Sequence, residues 1–316
     1  MAPKFVALSG GVGGAKLAFG LAKVLPPDDL LVVANTGDDF DHLGLRICPD
    51  LDSIMYALAS CENRAQGWGI EGETWNFMEA LGRLGGETWF SVGDRDLATH
   101  VMRTQRLRQG ASLSRVMQEL CQRLGVAHRV VPMSDEPIAT LVETNEGTLK
   151  FQDYFVRRRC SPHVTGFRFL GTKESSIQLD LRTALSSSRL KAVIVCPSNP
   201  FVSIGPMLAL PGLRDLLERS PVPVVAVSPL IGGQAVKGPL AKMMMELGAP
   251  VTNEALAEHY RGIVTAWVID QVDKDQCGSL RSKGLHCRSM GTLMRSDTDR
   301  VGLAQALLRY CNDLVA

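Results

Sequence analysis

"KFVALSGGVGGAKLAFGLAKVLPPDDLLVVANTGDD", residues 4–39, decides the fold. An apolar run from Phe5 to Leu8 meets a glycine loop, and Leu17, Leu21, Val24 and Leu25 then recur at helical spacing until Pro26-Pro27-Asp28 stops the helix. A second apolar run, Leu30 to Ala34, follows. Strand, glycine turn, helix and strand make a βαβ unit, whose parallel strands are buried on both faces.

Downstream, Leu51, Ile54, Met55, Leu58 and Ala59 fall on one face of a helix for which Asp50 is the expected N-cap. The spacing predicts further helices over 73–84, 97–108 and 113–124, the last ended by Gly125. Between 126 and 179 the texture turns to strand-like runs around the hairpin signal Asn145-Glu146-Gly147. From Leu190 the alternation resumes, with strands in "LKAVIVCPSNP", "VPVVAVSPLIGG" and "GIVTAWVID" and helices near 213–219, 240–247 and 301–314. The expected fold is α/β: a Rossmann-like, doubly wound, mainly parallel sheet. Its body comprises 1–125 and 180–316, with 126–179 as an inserted β-rich subdomain. Ligands of such sheets bind at the carboxyl ends of the strands, so the loops after Leu8, Ala34, Cys196 and Val227 should converge on one crevice.

Composition sets outer bounds. A chain of 316 residues that is 45% hydrophobic can fill a sizeable core. Lys plus Arg number 34 against 33 Asp plus Glu, so the net charge of +1 gives no electrostatic reason to expect nucleic acid or a membrane as partner. The eight cysteines are scattered without a CxxC pair and read as reduced packing thiols. No stretch reaches the ~18 apolar residues of a membrane span. The amino-terminal residues enter a strand-like run without a secretory h-region, and the expected location is the cytoplasm.

Five loops carry chemistry. "SGGVGGAK", residues 9–16, offers Gly10, Gly11, Gly13, Gly14 and Lys16 to a phosphate at a helix start. It is neither a Walker A loop nor GxGxxG, whose third glycine would fall at Lys16. "ANTGDDFDHLGLRICPDLDS", residues 34–53, places Asn35, Thr36, Asp38 and Asp39 at a strand end and Asp50 and Asp52 at the next helix start. Capping accounts for one or two of these carboxylates; two of them folded together suit Mg²⁺. Arg46 reads either as a phosphate ligand or as a solvated loop side chain. "CPSNPFVSIGP" supplies Ser198 and Asn199, and "SPLIGGQAVKGP" supplies Gly232, Gly233 and Lys237. In "VGDRDLATH", Asp94, Arg95 and Asp96 read equally as site residues or as a cap and local ion pair, and His100 reads as structural. No Ser/His/Asp or Cys/His arrangement emerges, which points to positioning and charge stabilisation rather than covalent catalysis.

With these loops in hand, the chain resembles the CofD family, the 2-phospholactate transferases of deazaflavin coenzyme F-420 biosynthesis. The residues that carry the resemblance are "GGVGGAK", "NTGDD", "HLGLRICPDLDS", "WFSVGDRDLATH", "PSNPFVSIGP" and "SPLIGG" with "AVKGP", in order from residue 10 to about 239. The resemblance implies Mg²⁺-dependent transfer of an acid from its guanosine diphosphate conjugate to the ribityl hydroxyl of 7,8-didemethyl-8-hydroxy-5-deazariboflavin, with release of GMP. It implies Asp38 and Asp52 as metal ligands, and Asp38, Asp39 and Asp50 as the catalytic carboxylates, with Asp39 or Asp50 accepting the proton. The glycine-loop residues, Lys16 and Arg46 would meet phosphates. Asn35, Thr36, Asp94, Arg95, Ser198 and Asn199 would contact donor or acceptor. A homodimer is also implied. The activated acid stays open among 2-phospholactate, phosphoenolpyruvate and 3-phosphoglycerate.

Two other readings compete. A regulator group in the same superfamily binds nucleotide sugars without transfer and shares a related glycine loop with paired aspartates. A nicotinamide-dependent oxidoreductase would need the third glycine that this loop lacks.

Overall fold

The computed structural model describes residues 2–315. Its centre is a seven-stranded sheet of β1 (Phe5–Ser9), β2 (Leu30–Ala34), β3 (Arg129–Pro132), β4 (Ala192–Val195), β5 (Val224–Val227), β6 (Ala266–Asp270) and β7 (His286–Met290). The strand order is β7-β6-β5-β4-β1-β2-β3, every pair parallel. The expected Rossmann-like α/β sheet is therefore present. From β1 the chain winds outward through β2 to β3, then returns to lay β4 on the other side of β1. That reversal is a topological switch point, where open α/β sheets bind their ligands.

Side chains alternate across the sheet. Phe5, Ala7, Val32 and Ile194 enter one core layer, beneath α1 (Gly11–Val24), α2 (Pro49–Leu58) and the C-terminal helix Asp297–Asp313. Val6, Leu8, Val33 and Val195 enter the other, beneath the shorter helices Leu179–Leu185, Leu213–Glu218, Leu240–Glu246 and Asn253–His259. Both faces are dry, as the continuous apolar runs require. Where α1 crosses the C-terminal helix, Gly20 lies against the Arg300 carbonyl, and a Cβ there would overlap it.

Between β2 and β3 come α3 (Asn76–Arg83), α4 (Asp94–Arg108) and α5 (Leu113–Arg123), which match three of the periodic segments. The hairpin at Asn145-Glu146-Gly147 also forms, inside a three-stranded antiparallel sheet of Gly147–Lys150, Ala139–Thr144 and Val164–Leu170. This unit is shorter than the expected insert of 126–179. Residues 129–132 instead form β3 at the edge of the main sheet, because Val130 and Val131 drop into the two opposite core layers. Among the described residues no helix is long and apolar enough to cross a membrane.

Candidate active site

A cavity of about 800 Å³ opens over the switch point. Its wall takes Gly10 to Gly13 from the loop after β1, Asp38 from that after β2, Pro197 to Asn199 from that after β4, and Ser228 from that after β5. The four loops expected to converge do so. A more open depression of about 840 Å³ near Ser186 and Asp215 gathers none of the expected site residues.

The glycine loop is pinned from both sides. Ser198 Oγ accepts from the Gly10 N–H at 3.0 Å and donates to the Gly10 carbonyl at 2.8 Å. The Gly11 N–H donates to Asp50 Oδ1 at 2.6 Å, with Gly11 in the left-handed region at φ +66. A Cβ on Gly10 would lie 2.6 Å from Ser203 Cβ, and one on Gly13 would lie 2.5 Å from the Pro197 carbonyl oxygen. The glycines thus let two loops close on the backbone. Gly14 sits behind, against Ser9 and Ser198, outside the cavity wall. Protein groups occupy the amides of Gly10 and Gly11, so an anion would meet α1 from Val12 onward. That helix has no side-chain cap and no acidic residue in its first turn.

Asp50 differs from its expected role. Cys48 holds the N-cap position of α2, and Asp50 lies in the first turn. Its second oxygen accepts from Asn35 Nδ2 at 3.0 Å. Asn35, wholly buried, also donates to the Val202 carbonyl at 3.3 Å and accepts from the Gly37 N–H at 2.8 Å. It braces three loops from behind the cavity wall, and Thr36 beside it is buried too. Burial pushes the Asp50 carboxyl up to about 6, against the hydrogen bonds from Asn35 and Gly11. Asp38 lines the cavity with Oδ1 lacking any hydrogen-bond partner. Burial first, then the nearby charge of Asp50, raises its pKa well above the ordinary range.

Asp39 and Arg46 are absent from the cavity wall. The short hairpin of Phe40–His42 and Leu45–Ile47 sets Asp41 opposite Arg46, which turns the guanidinium toward Asp41 at 3.6 Å and Asp39 at 3.8 Å. Burial raises Asp39 to about 7, opposed by Arg46. The arginine is a partner of the aspartates, not an open phosphate ligand.

Asp52 reaches the cavity tied to Arg103, a fully buried side chain on α4. Arg103 Nη1 also donates to the Arg46 carbonyl at 3.2 Å and meets His100 Nδ1 at 3.3 Å. A guanidinium only donates, so Nδ1 accepts and the imidazole proton sits on Nε2, which faces Asp96 Oδ2 at 3.3 Å. Asp96 Oδ1 accepts from the Tyr56 hydroxyl at 2.6 Å. Burial pushes Asp96 up, but His100, Tyr56 and Arg103 outweigh it and hold the carboxyl below its ordinary value. Asp52, Asp96 and His100 bring ligand atoms within 4.8 Å of one another. A metal on Nε2 would nevertheless force the proton onto Nδ1, against an arginine donor. The cluster is a hydrogen-bonded brace that leaves one Asp52 oxygen, Oδ2, without a hydrogen-bond partner, with His100 Nδ1 3.7 Å away.

Asp94 and Arg95 are not in the wall. Asp94 accepts from the Phe77 N–H at 3.0 Å, the Asn76 N–H at 3.1 Å and the Thr74 hydroxyl at 2.6 Å, and the Thr74 bond leads in holding its pKa down to about 2. In return, Glu73 accepts from the N–H groups of Arg95 at 2.7 Å and Asp96 at 2.9 Å. Each helix start, α3 and α4, is capped by the residue that precedes or opens the other. The Arg95 side chain donates to the Glu71 carbonyl at 2.8 Å.

The remaining expected residues hold mixed roles. Lys16 lines the cavity and donates to the Met294 carbonyl at 2.9 Å. Asn199 lines it too, while its side-chain oxygen caps the next turn through Phe201 N at 2.9 Å. Sequence reading overlooked Tyr56, Arg103 and an aromatic wall. Trp68, Trp89, Phe90, Phe151 and Phe155 face the cavity; Phe151 and Phe155 stack at 5.3 Å, and Arg157 covers Trp89 at 4.6 Å. Such a wall suits a planar ring. One available signal was the spacing of Asp96, His100 and Arg103, which share a face of α4.

The family described as 2-phospho-L-lactate transferase CofD matches residues 5–300. A phosphoenolpyruvate transferase of Streptomyces coelicolor is 39% identical over 302 residues, 94% of each chain. A 2-phospho-L-lactate transferase of Methanosarcina mazei is 37% identical over 304 residues, 96% of this chain and 99% of that one. A crystal structure of a Bacillus halodurans protein, described as a member of the UPF0052 family, superposes with a TM-score of 0.63 over 98% of this chain and 99% of that one. At 16% identity the last likeness concerns the fold alone.

Proposed function

The chain belongs to the CofD family of 2-phospho-L-lactate transferases, and from that premise we propose that it moves a phosphoryl-linked carboxylic acid from a guanosine-diphosphate-linked donor to the ribityl hydroxyl of 7,8-didemethyl-8-hydroxy-5-deazariboflavin, releasing GMP. One juxtaposition carries the reading: the buried carboxylates Asp38 and Asp50 border the glycine loop and the first turn of α1 in a cavity with an aromatic wall.

The acceptor oxygen bonds to the phosphorus that carries the acid, as the bond from that phosphorus to the GMP oxygen breaks. We assign the hydroxyl proton to Asp50, which borders the cavity where Asp39 does not. The α1 amides from Val12 onward, with Lys16, meet charge on the phosphoryl oxygens. Asp38 Oδ1 and Asp52 Oδ2 are each buried, border the same cavity and lack hydrogen-bond partners, hard oxygen donors of the kind Mg²⁺ takes. These two residues would hold the ion, which supplies Lewis-acid neutralisation of phosphoryl charge when bound. Mg²⁺ should then raise the melting temperature of the unmodified chain, and Asp38→Asn should abolish that rise.

Relatives at similar identity carry both donor names, so the acid is a matter for experiment. Purified chain, Mg²⁺ and the deazaflavin alcohol are incubated with each of the three guanosine-diphosphate-linked acids separately, and products are read by mass spectrometry. Product with GMP in one tube names the donor. No product in any tube, with no binding of the deazaflavin, would end the transferase reading.

A further inference from the structure

The eight cysteines read as packing thiols, but two of them meet. Cys277 opens the helix Cys277–Ser282, Cys287 lies on β7, and their sulfurs approach to 2.9 Å, close to the covalent S–S length of about 2.05 Å. Both are free thiols, and both are buried. Arg281, from the same helix, donates to the Cys287 carbonyl at 2.8 Å and holds the two segments side by side. Among the described residues no third histidine, cysteine or carboxylate joins the pair, so the arrangement offers a dithiol rather than a metal cage. Burial raises the Cys287 thiol above its ordinary range, with Cys277 adding to that and Arg281 opposing it.

The pair sits where a covalent tie would be felt at the cavity. β7 is the outermost strand of the main sheet and pairs there with β6 alone. It runs on into Thr292, Leu293, Met294 and Arg295, part of the cavity wall. That segment is fastened by Asp270 Oδ2, which accepts from the Thr292 N–H at 2.8 Å and the Thr292 hydroxyl at 2.9 Å. On the helix side, Gln276 precedes Cys277 and accepts from Asn253 at 2.9 Å, and Asn253 accepts from the cavity residue Ser228 at 2.6 Å. The two sulfurs therefore face each other at the feet of two segments that each lead to the cavity.

We propose that Cys277 and Cys287 are a redox modification site: they close to a reversible disulfide that pins the edge strand β7 to the helix beside it and steadies the 292–295 wall. The oxidant is a small disulfide such as that of glutathione. One cysteine thiolate attacks it and expels half as a thiol; the second thiolate then attacks the mixed disulfide and expels the other half. Two thiols become one disulfide, and the oxidant leaves as two thiols carrying both protons and both electrons. The proposal does not depend on the transferase reading.

The test incubates the full chain with glutathione disulfide or with dithiothreitol, alkylates remaining thiols in denaturant, and maps tryptic peptides by mass spectrometry. The peptides of residues 275–281 and 284–288 should appear joined after oxidation, two hydrogens lighter than their sum, and separate after reduction. The oxidised chain should melt at least about 2 °C higher, because the tie closes a loop in the unfolded chain. Hydrogen exchange at 287–295 should slow by about threefold or more, with β1 and β2 unchanged. Cys277→Ala should show the same exchange under both conditions. Recovery of both peptides alkylated, or carrying only glutathione, overturns the modification site. A joined pair with exchange at 287–295 equal to that of the reduced chain, or an equal slowing in Cys277→Ala, overturns the tie to the cavity wall.

Discussion

The Gly11 N–H donates to Asp50 Oδ1 at 2.6 Å, so a carboxylate from the first turn of α2 occupies the start of α1. Both Asp50 oxygens accept, which makes Asp50→Asn a severe change despite its shape. If its oxygen keeps Gly11, its amide nitrogen must face the Asn35 amide, donor against donor. The variant should lose about 1–3 kcal/mol in denaturant unfolding. On the proposed assignment of Asp50 as proton acceptor, its removal should also lower kcat by about 10²-fold or more. Turnover within twofold of the unmodified enzyme would confine Asp50 to bracing.

Arg103 balances Asp52 in a setting that excludes water. Arg103→Met leaves a buried carboxylate without its partner and should cost about 3–5 kcal/mol. Adding Asp52→Leu removes the stranded charge and should restore part of that stability, while turnover stays lost. A double variant less stable than Arg103→Met would show that the pair is not the dominant contact.

Two buried carboxyls give a pH signature. Asp39 is raised to about 7 and Asp50 to about 6, mainly by burial. A carboxyl raised on folding binds more protons in the folded state, so its stabilising contribution is full at low pH and is lost as pH rises through the folded value. Without metal, unfolding free energy should fall between about pH 4 and about pH 7 on this account. Asp39→Asn removes one titrating group and should flatten that fall; an undiminished slope would place the proton elsewhere.

The exchanged caps of α3 and α4 make a local prediction. Asp94→Ala should loosen the first turn of α3, whose amides it accepts from. Hydrogen exchange should quicken at Asn76 and Phe77, with α5 unaffected. Because residues 61–93 carry Trp68, Trp89 and Phe90 to the cavity, KM for the acceptor should rise more than kcat falls. A uniform loss of protection across the chain would mean that Asp94 supports the whole fold instead.

What could be read in advance was what periodicity and glycine chemistry encode. The βαβ start, the converging loops and the helices at 94–108 and 113–123 follow from local pattern. The strand at 129–132 escaped notice because four residues carry too little period, and its place is set by pairing with β2. Asp94 and Arg46 each stood between two readings for another reason. Their partners, Thr74 to Phe77 and Asp39, are chosen by tertiary approach, which spacing does not reveal. The Asp52 to Arg103 bond joins positions 51 residues apart and was likewise invisible. His100 is structural, as its position suggested, yet it also faces the cavity.

The place of β1 has a consequence for synthesis on the ribosome. β1 pairs with β2 from Phe5↔Leu30 onward, but its other edge waits for β4, whose first partner is Ala192. While everything between is being translated, one edge of a largely apolar strand that is buried in the finished fold lacks its β4 partner. The cavity is divided the same way, with Gly11, Asp38 and Asp50 emerging long before Ser198 and Lys237. The edge of β1 and the cavity are therefore both completed only after β4 and the loop behind it have been made, so the two halves of the site are joined last.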